Sequence, residues 1–443
     1  MKKTYRKRFQ KLSKQLTHPD LPSHARIKNS NTFSRNRKMP LKDMLLCCLA
    51  KKGMTTVLEL RNFFKQKKGT DMKISTQGYL QQRKRLNPDV FSYLNDEYLV
   101  DFYHSSETEL WNGYLLLAID GSKVEIPNSM ENRRNFGTGS NQHSKQGQAR
   151  ALISGMYDIL NGFYLDIQIA HICTSENELA KKNLDHLKIT GIDLPILAVF
   201  DRGYPSLEFI DHLETNGIHY LFRLSSNDYK AERENMRSSD EYVYLKHTHA
   251  RLAKIQKKHP NRWEDMREKE VTRTRILNKE LPSGTELVLM TDLPKNFTSD
   301  QIQELYYKRW EIEKKYHTLK NKMKFESVTG KASIYVYQDF YVQILVYNMM
   351  HDIQRSADQE VVKNEHMKKK RYPMHTNENI AIGLFKEYMI KILLEENAKK
   401  RGRLLTRLQS EMEQYVLPIR NLPDHERKKN LTNKYKNNQK NSF

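Results

Sequence analysis

The sequence predicts an α/β protein with helical regions before and after the α/β part. Tyr114–Ile119 and Ile196–Phe200 are continuous apolar runs, which are typical of strands buried on both faces of a sheet. Ala149–Asp158 and Phe163–Ala170 are further strand-like segments, and an Asn-Gly pair between them favours a hairpin. Helical patterns follow these strands, so strands and helices alternate along this part of the chain.

The chain carries a large excess of positive charge. Its 443 residues include 76 Lys and Arg against 53 Asp and Glu, which gives a formal net charge of +23. Such a field attracts a polyanion, and nucleic acid is the usual one because each neutralised phosphate releases a condensed counterion. An anionic membrane surface would require an amphipathic or apolar anchor, and the apolar runs are too short to span a bilayer. We therefore expect a nucleic-acid partner and no membrane partner.

The cysteines and the N-terminal stretch indicate a reduced, intracellular protein. Three cysteines, two of them adjacent, form neither a disulfide framework nor a C-x-x-C zinc site. The basic N-terminal stretch has no apolar segment of a signal peptide behind it. We expect a cytoplasmic location.

The N-terminal region is predicted to be helical beyond a basic arm. Residues 1–39 are basic and polar, and we expect an arm that is poorly ordered without a partner. Helical patterns then begin at Pro40, at Thr55 or Thr56, and at Ser75. Three short helices with a basic third one resemble a helix-turn-helix, and a helical bundle with a solvated basic face is the alternative.

The second half of the chain contains an insertion and further helices. Residues 226–294 are predicted to be a β-containing insertion with a polar hairpin at Pro282-Ser-Gly284. A capping box at Thr298 then opens a long helix to about Met323. Helical patterns over about 334–353 and 377–414 precede a Lys/Asn-rich tail, which we expect to be disordered.

Two carboxylates stand at the ends of the buried strands. Asp120 follows Tyr114–Ile119, and Asp201 follows Ile196–Phe200. The carboxyl ends of strands are where an α/β sheet tends to present its ligands. Asp also commonly ends strands and begins turns, so the position nominates these residues without assigning their role.

Four polar residues form a stripe on the helix that begins at Thr298. Tyr306, Arg309, Glu313 and Lys320 lie within about 60° of one another on a helical wheel. An apolar stripe lies next to them, so the polar stripe borders the buried face of the helix. These side chains can therefore face a cleft.

Helical phase distinguishes Glu313 from its acidic neighbours. Glu304 and Glu311 point elsewhere, at about 160° and 140° on the same wheel, so Glu313 is the carboxylate that we select. The alternative is a surface helix with ion pairs, since Arg309 and Glu313 are four residues apart. His317 has ligand-like spacing from Glu313, and we interpret it as a phosphate contact or a support for a metal ligand.

The three carboxylates would form a hard-oxygen site suited to Mg²⁺ or Mn²⁺. They are Asp120, Asp201 and Glu313. Two such ions about 4 Å apart can activate a nucleophile and stabilise the leaving oxygen of a phosphodiester. Next to that site, Arg309 and Lys320 would hold a phosphate, and Tyr306 would donate to a phosphate or stack on a base.

The stripe on the helix resembles a known signature. Its spacing, Y-x2-R-x3-E-x6-K, resembles the Y-R-E-K signature of a large group of bacterial insertion-sequence transposases with a DDE triad. The strings LLLAIDGSK around Asp120 and ILAVFDRGYPS around Asp201 resemble the first and second Asp motifs of that group. The gap before Glu313 has room for the β insertion typical of the group. The resemblance covers about residues 40–350.

The resemblance implies an RNase H-like catalytic core and a cut-and-paste mechanism. The three carboxylates would bind the metal ions, water would attack at the transposon end, and the freed 3′-OH would attack the opposite strand or target DNA. The remaining residues of the signature would contact the DNA backbone near the cleavage point; they are Tyr306, Arg309 and Lys320. The implied partners are the terminal inverted repeats, target DNA and a second copy of the chain, in a bacterial cytoplasm and associated with the nucleoid.

Trp263, the only tryptophan of the insertion, is not assigned to a flipped base, and formation of hairpin ends stays open.

Six regions follow from these observations. They are the basic arm (1–39), a helical DNA-binding region (40–105), the first part of the catalytic core (106–225), the β-rich insertion (226–294), the second part of the core with Glu313 (295–355), and a helical C-terminal region with a basic tail (356–443). Two alternatives to a transposase remain at this point. One is a metal-dependent DNA nuclease or resolvase on the same core, and the other is a catalytically silent, transposase-derived DNA-binding regulator.

Overall fold

The computed structural model divides into two units, each assembled from segments that are distant in sequence. It describes residues 4–28, 30–34, 38–67, 74–140, 147–258, 260–281, 284–368 and 372–419. The first unit contains Met1–Asp101, Glu125–Asn135 and His317–Phe443, and the second contains Phe102–Val124 and Phe136–Tyr316. Two of the predicted features, most of the Pro282-Ser-Gly284 hairpin and the Lys/Asn-rich tail, lie outside the described residues.

The helices are numbered in chain order. They are α1 (Tyr5–Gln15), α2 (Leu21–Ala25), α3 (Leu41–Leu49), α4 (Thr56–Gln66), α5 (Thr76–Arg83), α6 (Asp89–Tyr103), α7 (Met130–Phe136), α8 (Glu176–Leu187), α9 (Leu207–Thr215), α10 (Lys230–Glu234), α11 (His249–Lys258), α12 (Pro260–Lys269), α13 (Ser299–Lys308), α14 (Trp310–His317), α15 (Ser333–Lys368), α16 (Glu378–Leu394) and α17 (Ala398–Gln414). A π-helical turn, Thr318–Lys322, follows α14.

The strands are numbered in the same way. They are β1 (Leu115–Glu125), β2 (Thr138–Gly139), β3 (Gln148–Asp158), β4 (Tyr164–His171), β5 (Ile196–Phe200), β6 (His219–Arg223), β7 (Asp240–Lys246), β8 (Val271–Glu280), β9 (Glu286–Thr291), β10 (Met374–Thr376) and β11 (Val416–Pro418). The last two form a small antiparallel pair in the first unit.

A nine-stranded sheet is the centre of the second unit. Its order is β2-β3-β1-β5-β6-β9-β8-β7, and β4 pairs with β3. β5 runs parallel to both β1 and β6, and β3 and β4 form the predicted antiparallel hairpin. The apolar runs of β1 and β5 are buried, as expected for strands inside an α/β sheet. The α/β class is confirmed, and the order β4-β3-β1-β5-β6 is that of an RNase H-like core.

The insertion continues this sheet. β9 pairs antiparallel with β6 and with β8, and β8 pairs antiparallel with β7. The three short helices α10, α11 and α12 also lie in the insertion. The β-rich character predicted for residues 226–294 is therefore present together with helices, whose polar sequences hid their periodicity.

The N-terminal arm differs from the expectation of poor order. Residues Tyr5–Gln15 form α1, which buries Tyr5, Phe9 and Leu12 along one face. This helix packs against α15, α16 and α17 of the same unit. The high charge of the segment concealed this apolar stripe at helical spacing.

The three helices after Pro40 begin near the predicted positions. Pro40, Thr55 and Ser75 are the residues before α3, α4 and α5, and the Ser75 side chain accepts a hydrogen bond from the Gly78 N–H. Arg83, the last residue of α5, is buried and pairs with Asp339 of α15. This arginine is therefore part of the interior and is not on a solvated basic face.

The C-terminal region forms helices, as predicted, but its segmentation differs. α15 is longer than the expected segment, and a break at residues 395–397 divides the expected last helix into α16 and α17. Asn397 in this break accepts hydrogen bonds from the first N–H groups of α17 and so starts a new helix. Throughout the described part of the chain, every helix is too short or too polar to cross a membrane.

Candidate active site

The parallel pair β1 and β5 brings two carboxylates to the same edge of the sheet. The register joins Leu117 to Ala198 and Ala118 to Val199. Asp120 and Asp201 each follow two residues after that last pair. The sequence predicts that this strand ends at Asp120, but β1 continues to Glu125, because it is also paired with β3 on its other side.

The third carboxylate comes from the helical segment that begins after Thr298. The predicted capping box is present, with hydrogen bonds in both directions between Thr298 and Gln301. α13 and α14 follow with only Arg309 between them, and Arg309 keeps helical backbone angles. The helical phase that links Tyr306, Arg309 and Glu313 is therefore preserved.

The guanidinium of Arg309 lies among the three carboxylates. Its Nη2 is 2.9 Å from Oε1 of Glu313 and 3.8 Å from Oδ2 of Asp201, and its Nη1 is 3.8 Å from Oδ2 of Asp120. The Arg309 side chain is only 2% exposed. Arg309 thus forms the i,i+4 pair with Glu313 and also faces the two aspartates, from a buried position and not from a surface helix.

Two tyrosines of the same helical segment hold the aspartates. The Tyr306 hydroxyl donates to Oδ1 of Asp201 at 3.0 Å. The Tyr316 hydroxyl donates to the backbone carbonyl of Asp120 at 2.7 Å and accepts from the Gly155 N–H at 2.7 Å. On the helical wheel Tyr316 falls on the apolar stripe, so the spacing does not reveal the supporting role of its hydroxyl.

The electrostatic environment of Asp120 is unusual. Burial raises the pKa of Asp120 to about 7, and the Arg309 guanidinium opposes that rise. The negative charges of Glu176 and Glu313 add to it. Negative charge is thus concentrated at this edge of the sheet, and either a proton or a cation relieves it.

The donor set fits a divalent cation, although the carboxylates are not gathered for one. Within the described residues, no three His, Cys, Asp or Glu side chains converge closely enough to hold a metal ion. The Arg309 guanidinium lies between the carboxylates and is the cation that they share. Carboxylate oxygens are the ligands preferred by Mg²⁺ and Mn²⁺, so a divalent ion would take over the charge now balanced by Arg309.

The structure also describes the other residues singled out from the sequence. Lys320 is half-buried on the π-helical turn of the first unit, where the wheel of a regular α-helix no longer gives its direction. His317 is exposed at the end of α14, and Glu311 pairs with Lys314. Trp310 is 43% exposed, because it follows the buried Arg309 on the outer side of the helix.

The match to a known family agrees with this geometry. A family profile described as "Transposase DDE domain" matches residues 111–349, which is more than half of the chain and includes all three carboxylates. The chain therefore belongs to this family. It is a DNA transposase, an enzyme that cleaves DNA and transfers strands, and membership implies a dependence on divalent metal ions.

Individual relatives extend this result. The chain is similar to "Transposase InsG for insertion sequence element IS4" of Escherichia coli (strain K12), with 22% identity over 343 residues that cover 75% of this chain and 74% of the relative. Among solved structures it is similar to "Cryo-EM structure of piggyBac transposase synaptic complex with hairpin DNA (SNHP)", with 10% identity, a TM-score of 0.45, and coverage of 96% and 86% of the two chains. A second is "Mos1 transposase paired-end complex with left transposon end", with 11% identity, a TM-score of 0.19, and coverage of 44% and 61%. Both structural likenesses are weak, and the fold assignment rests on the sheet order and the family match.

Proposed function

We propose that the chain carries out cut-and-paste transposition of an insertion sequence, with Asp120, Asp201 and Glu313 as the ligands of its divalent cations. The observation that supports this most is the meeting of three carboxylates, from three distant segments, around one buried guanidinium. Mg²⁺ is the expected ion, Mn²⁺ can substitute for it, and two ions are expected. When bound, such ions activate a water or 3′-OH nucleophile and stabilise the leaving oxygen of a phosphodiester.

The neighbouring residues orient these carboxylates and meet the DNA. Tyr306 fixes one oxygen of Asp201 through its hydroxyl. Arg309 holds Glu313, and its Nε and Nη1 have no hydrogen-bond partner within the described part of the chain. Once divalent ions balance the carboxylates, these nitrogens can donate to a DNA phosphate. Lys320 is proposed as a further backbone contact.

The substrate is proposed to be the terminal inverted repeats of the element, followed by target DNA. A formal net charge of +23 supports a DNA partner, since phosphate contacts release counterions. Two copies of the chain would act on the paired ends, and the C-terminal helices α16 and α17 are proposed as the region of contact between them.

The proposed triad is tested by neutralising its three carboxylates one at a time, each in a separate variant. Asp120→Asn, Asp201→Asn and Glu313→Gln keep size and hydrogen-bonding capacity but weaken cation binding. Each is expected to abolish cleavage of a mini-transposon in Mg²⁺ and in Mn²⁺. Binding to the terminal repeat, measured by gel shift, should be largely unchanged.

Glu311→Gln is the matched control because Glu311 is on another face of the same helix and pairs with Lys314. This variant should keep full activity. An active Glu313→Gln enzyme would overturn the assignment of the third carboxylate. A wild-type chain that cleaves the ends but never joins them to a target would contradict transposition.

A further inference from the structure

A fourth carboxylate, that of Glu176, lies beside both aspartates. Glu176 is the first residue of α8. A Cβ atom placed on Gly121, the residue after Asp120, would be 2.7 Å from Oε1 of Glu176, and a Cβ atom on Gly203 would be 3.6 Å from its Oε2. The Glu176 carboxylate therefore lies close both to the residue that follows Asp120 and to the segment that follows Asp201.

The start of α8 is fixed at this position by its neighbours. The Asn177 side-chain amide donates to the Tyr204 carbonyl at 3.1 Å and to the Ser206 hydroxyl at 3.3 Å. These contacts attach the helix to the segment that follows Asp201. Glu176 is half-buried there, and no hydrogen bond or ion pair to its carboxylate is formed within the described residues. Burial raises its pKa, Lys123 opposes this, and the charge of Asp201 adds to it.

The charge of the whole group is not balanced by the protein. The nearly buried guanidinium of Arg309 contacts the carboxylates of Asp120, Asp201 and Glu313, and two of its nitrogens make no hydrogen bond within the described residues. Lys123 is the cation that acts on Glu176. Uncompensated charge away from water is costly. The four carboxylates outnumber these two cations, and bound divalent cations would offset the excess of negative charge. The unsatisfied, buried Arg309 is thus an independent sign that the site is built for further ligands.

We propose that Glu176 is a fourth carboxylate ligand of the metal site, and that Gly121 is required because any side chain there would collide with it. This inference rests on the proposed role of the three other carboxylates. Glu176 would share in holding a divalent ion with the strand-end aspartates, which its carboxylate adjoins on both sides.

The test is a titration of the full chain with Mn²⁺ in the absence of DNA. Electron paramagnetic resonance measures the concentration of free Mn²⁺ at each step. Glu176→Gln is expected to weaken Mn²⁺ binding at least about tenfold, as loss of a metal-site partner commonly does. Glu178→Gln is the matched control, because Glu178 is exposed on the same helix, and it should bind like the wild type. Gly121→Ala should reproduce the loss while keeping every carboxylate, because its Cβ would displace Glu176.

Asp120→Asn separates the failure of this inference from failure of the proposed function. If Asp120→Asn weakens Mn²⁺ binding and both Glu176→Gln and Gly121→Ala bind like the wild type, Glu176 is not a ligand. If the wild type takes up no Mn²⁺, or Asp120→Asn has no effect, the proposed metal site is itself wrong. Circular dichroism of each variant confirms that the comparison is made between folded chains.

Discussion

Tyr316 joins three parts of the candidate active site through one hydroxyl. It lies three residues after Glu313, donates to the carbonyl of Asp120 and accepts from the N–H of Gly155. The helix that carries Glu313 is thereby aligned with β1 and β3. Because both partners of its hydroxyl are backbone atoms, we expect Tyr316 to act as a positioning residue.

Tyr316→Phe is expected to lower the rate of DNA cleavage about tenfold, because a small misplacement of catalytic groups is costly. It also leaves a buried N–H and a carbonyl without a partner, which should cost about 1–3 kcal/mol of unfolding free energy. The turnover number should fall while the KM for DNA stays constant. Tyr307→Phe, at an exposed position of the same segment, serves as control. A Tyr316→Phe enzyme that is less stable but has unchanged turnover would refute the positioning role.

Lys320 offers a test of the DNA contacts. If it meets a phosphate, Lys320→Ala should weaken binding to the terminal repeat and reduce the slope of log K against log salt by about one unit. Lys314→Ala is the control, since Lys314 pairs with Glu311 on another face of the helical segment. An unchanged slope for Lys320→Ala, measured by fluorescence anisotropy at several salt concentrations, would place this lysine away from DNA.

Single residues of the site were predictable to different extents. Helical phase selects Glu313 over Glu311, because a regular helix fixes directions from spacing alone. The burial of Arg309 depends on what surrounds it, which spacing does not specify. The sequence does not distinguish Glu176 as a site residue, because the helix dipole also favours an acidic residue in the first turn of a helix. Its nearness to both aspartates arises only when α8 is placed on the sheet.

At the scale of elements, the insertion is attached to the Glu313 helix through Arg275 of β8. This side chain is 1% exposed, and its Nε donates to Oδ1 of Asp240 at 2.7 Å. Its Nη1 also donates to the carbonyls of Pro294 and Phe297, in the segment just before α13. The Ser299 hydroxyl donates to Asp240 as well, so one partly buried ion pair fixes the start of this helix.

Arg275→Ala is expected to destabilise the chain by about 3 kcal/mol, the low end of the cost of breaking a buried ion pair, because Asp240 is partly exposed and keeps its bond from Ser299 while several carbonyls lose their donor. Arg273→Ala, two residues earlier on an exposed position of β8, should cost less than about 1 kcal/mol. Urea unfolding of the two variants makes the comparison. Equal stability of both variants would show that the Arg275 network does not hold the insertion in place.

Most elements of the core follow from local sequence. β5 has the predicted bounds, and the capping box at Thr298 starts α13, because apolar runs and caps are local signals. The pairing of β9 with β6 is not local and was not predicted. The α1 helix was missed because its charged residues outnumber the apolar residues of its buried face.

At the scale of the molecule, stability should depend on a buried lysine of the first unit. Lys386 of α16 is buried and donates to the backbone carbonyl of Lys51. Burial lowers the pKa of Lys386 to about 7 from its usual value of 10.5, with Glu59 opposing the change. Between these values the unfolded chain binds more protons than the folded chain. The unfolding free energy should therefore rise with pH over this window, by up to about 1.4 kcal/mol per unit from this group.

Lys386→Met should remove this dependence and raise stability near pH 7. The measurement is urea unfolding at several pH values from 7 to 9.5. Lys391→Met, at an exposed position of the same helix, should keep the wild-type slope. If Lys386→Met keeps that slope too, the lysine is not the group responsible.

The division into units was beyond sequence reasoning. Glu125–Asn135, which begins with the last residue of β1, belongs to the first unit, and the chain returns to the second unit at Phe136. Hydrophobic periodicity describes neighbours along the chain and carries no information about which distant segments share a core. The six regions given in the sequence analysis therefore stay a prediction of which segments of the chain serve which function.

The continuity of the sheet through the insertion bears on damaged gene copies. An in-frame deletion of codons 226–294 would keep the codons for all three carboxylates and for the whole Y-R-E-K signature. It would also remove β9, the hydrogen-bonded neighbour of β6, and leave β6 with an unpaired edge. A gene remnant of this kind would look intact at its catalytic motifs and yet encode an aggregating product. Judging whether an element is still mobile therefore requires reading the insertion as well as the motifs.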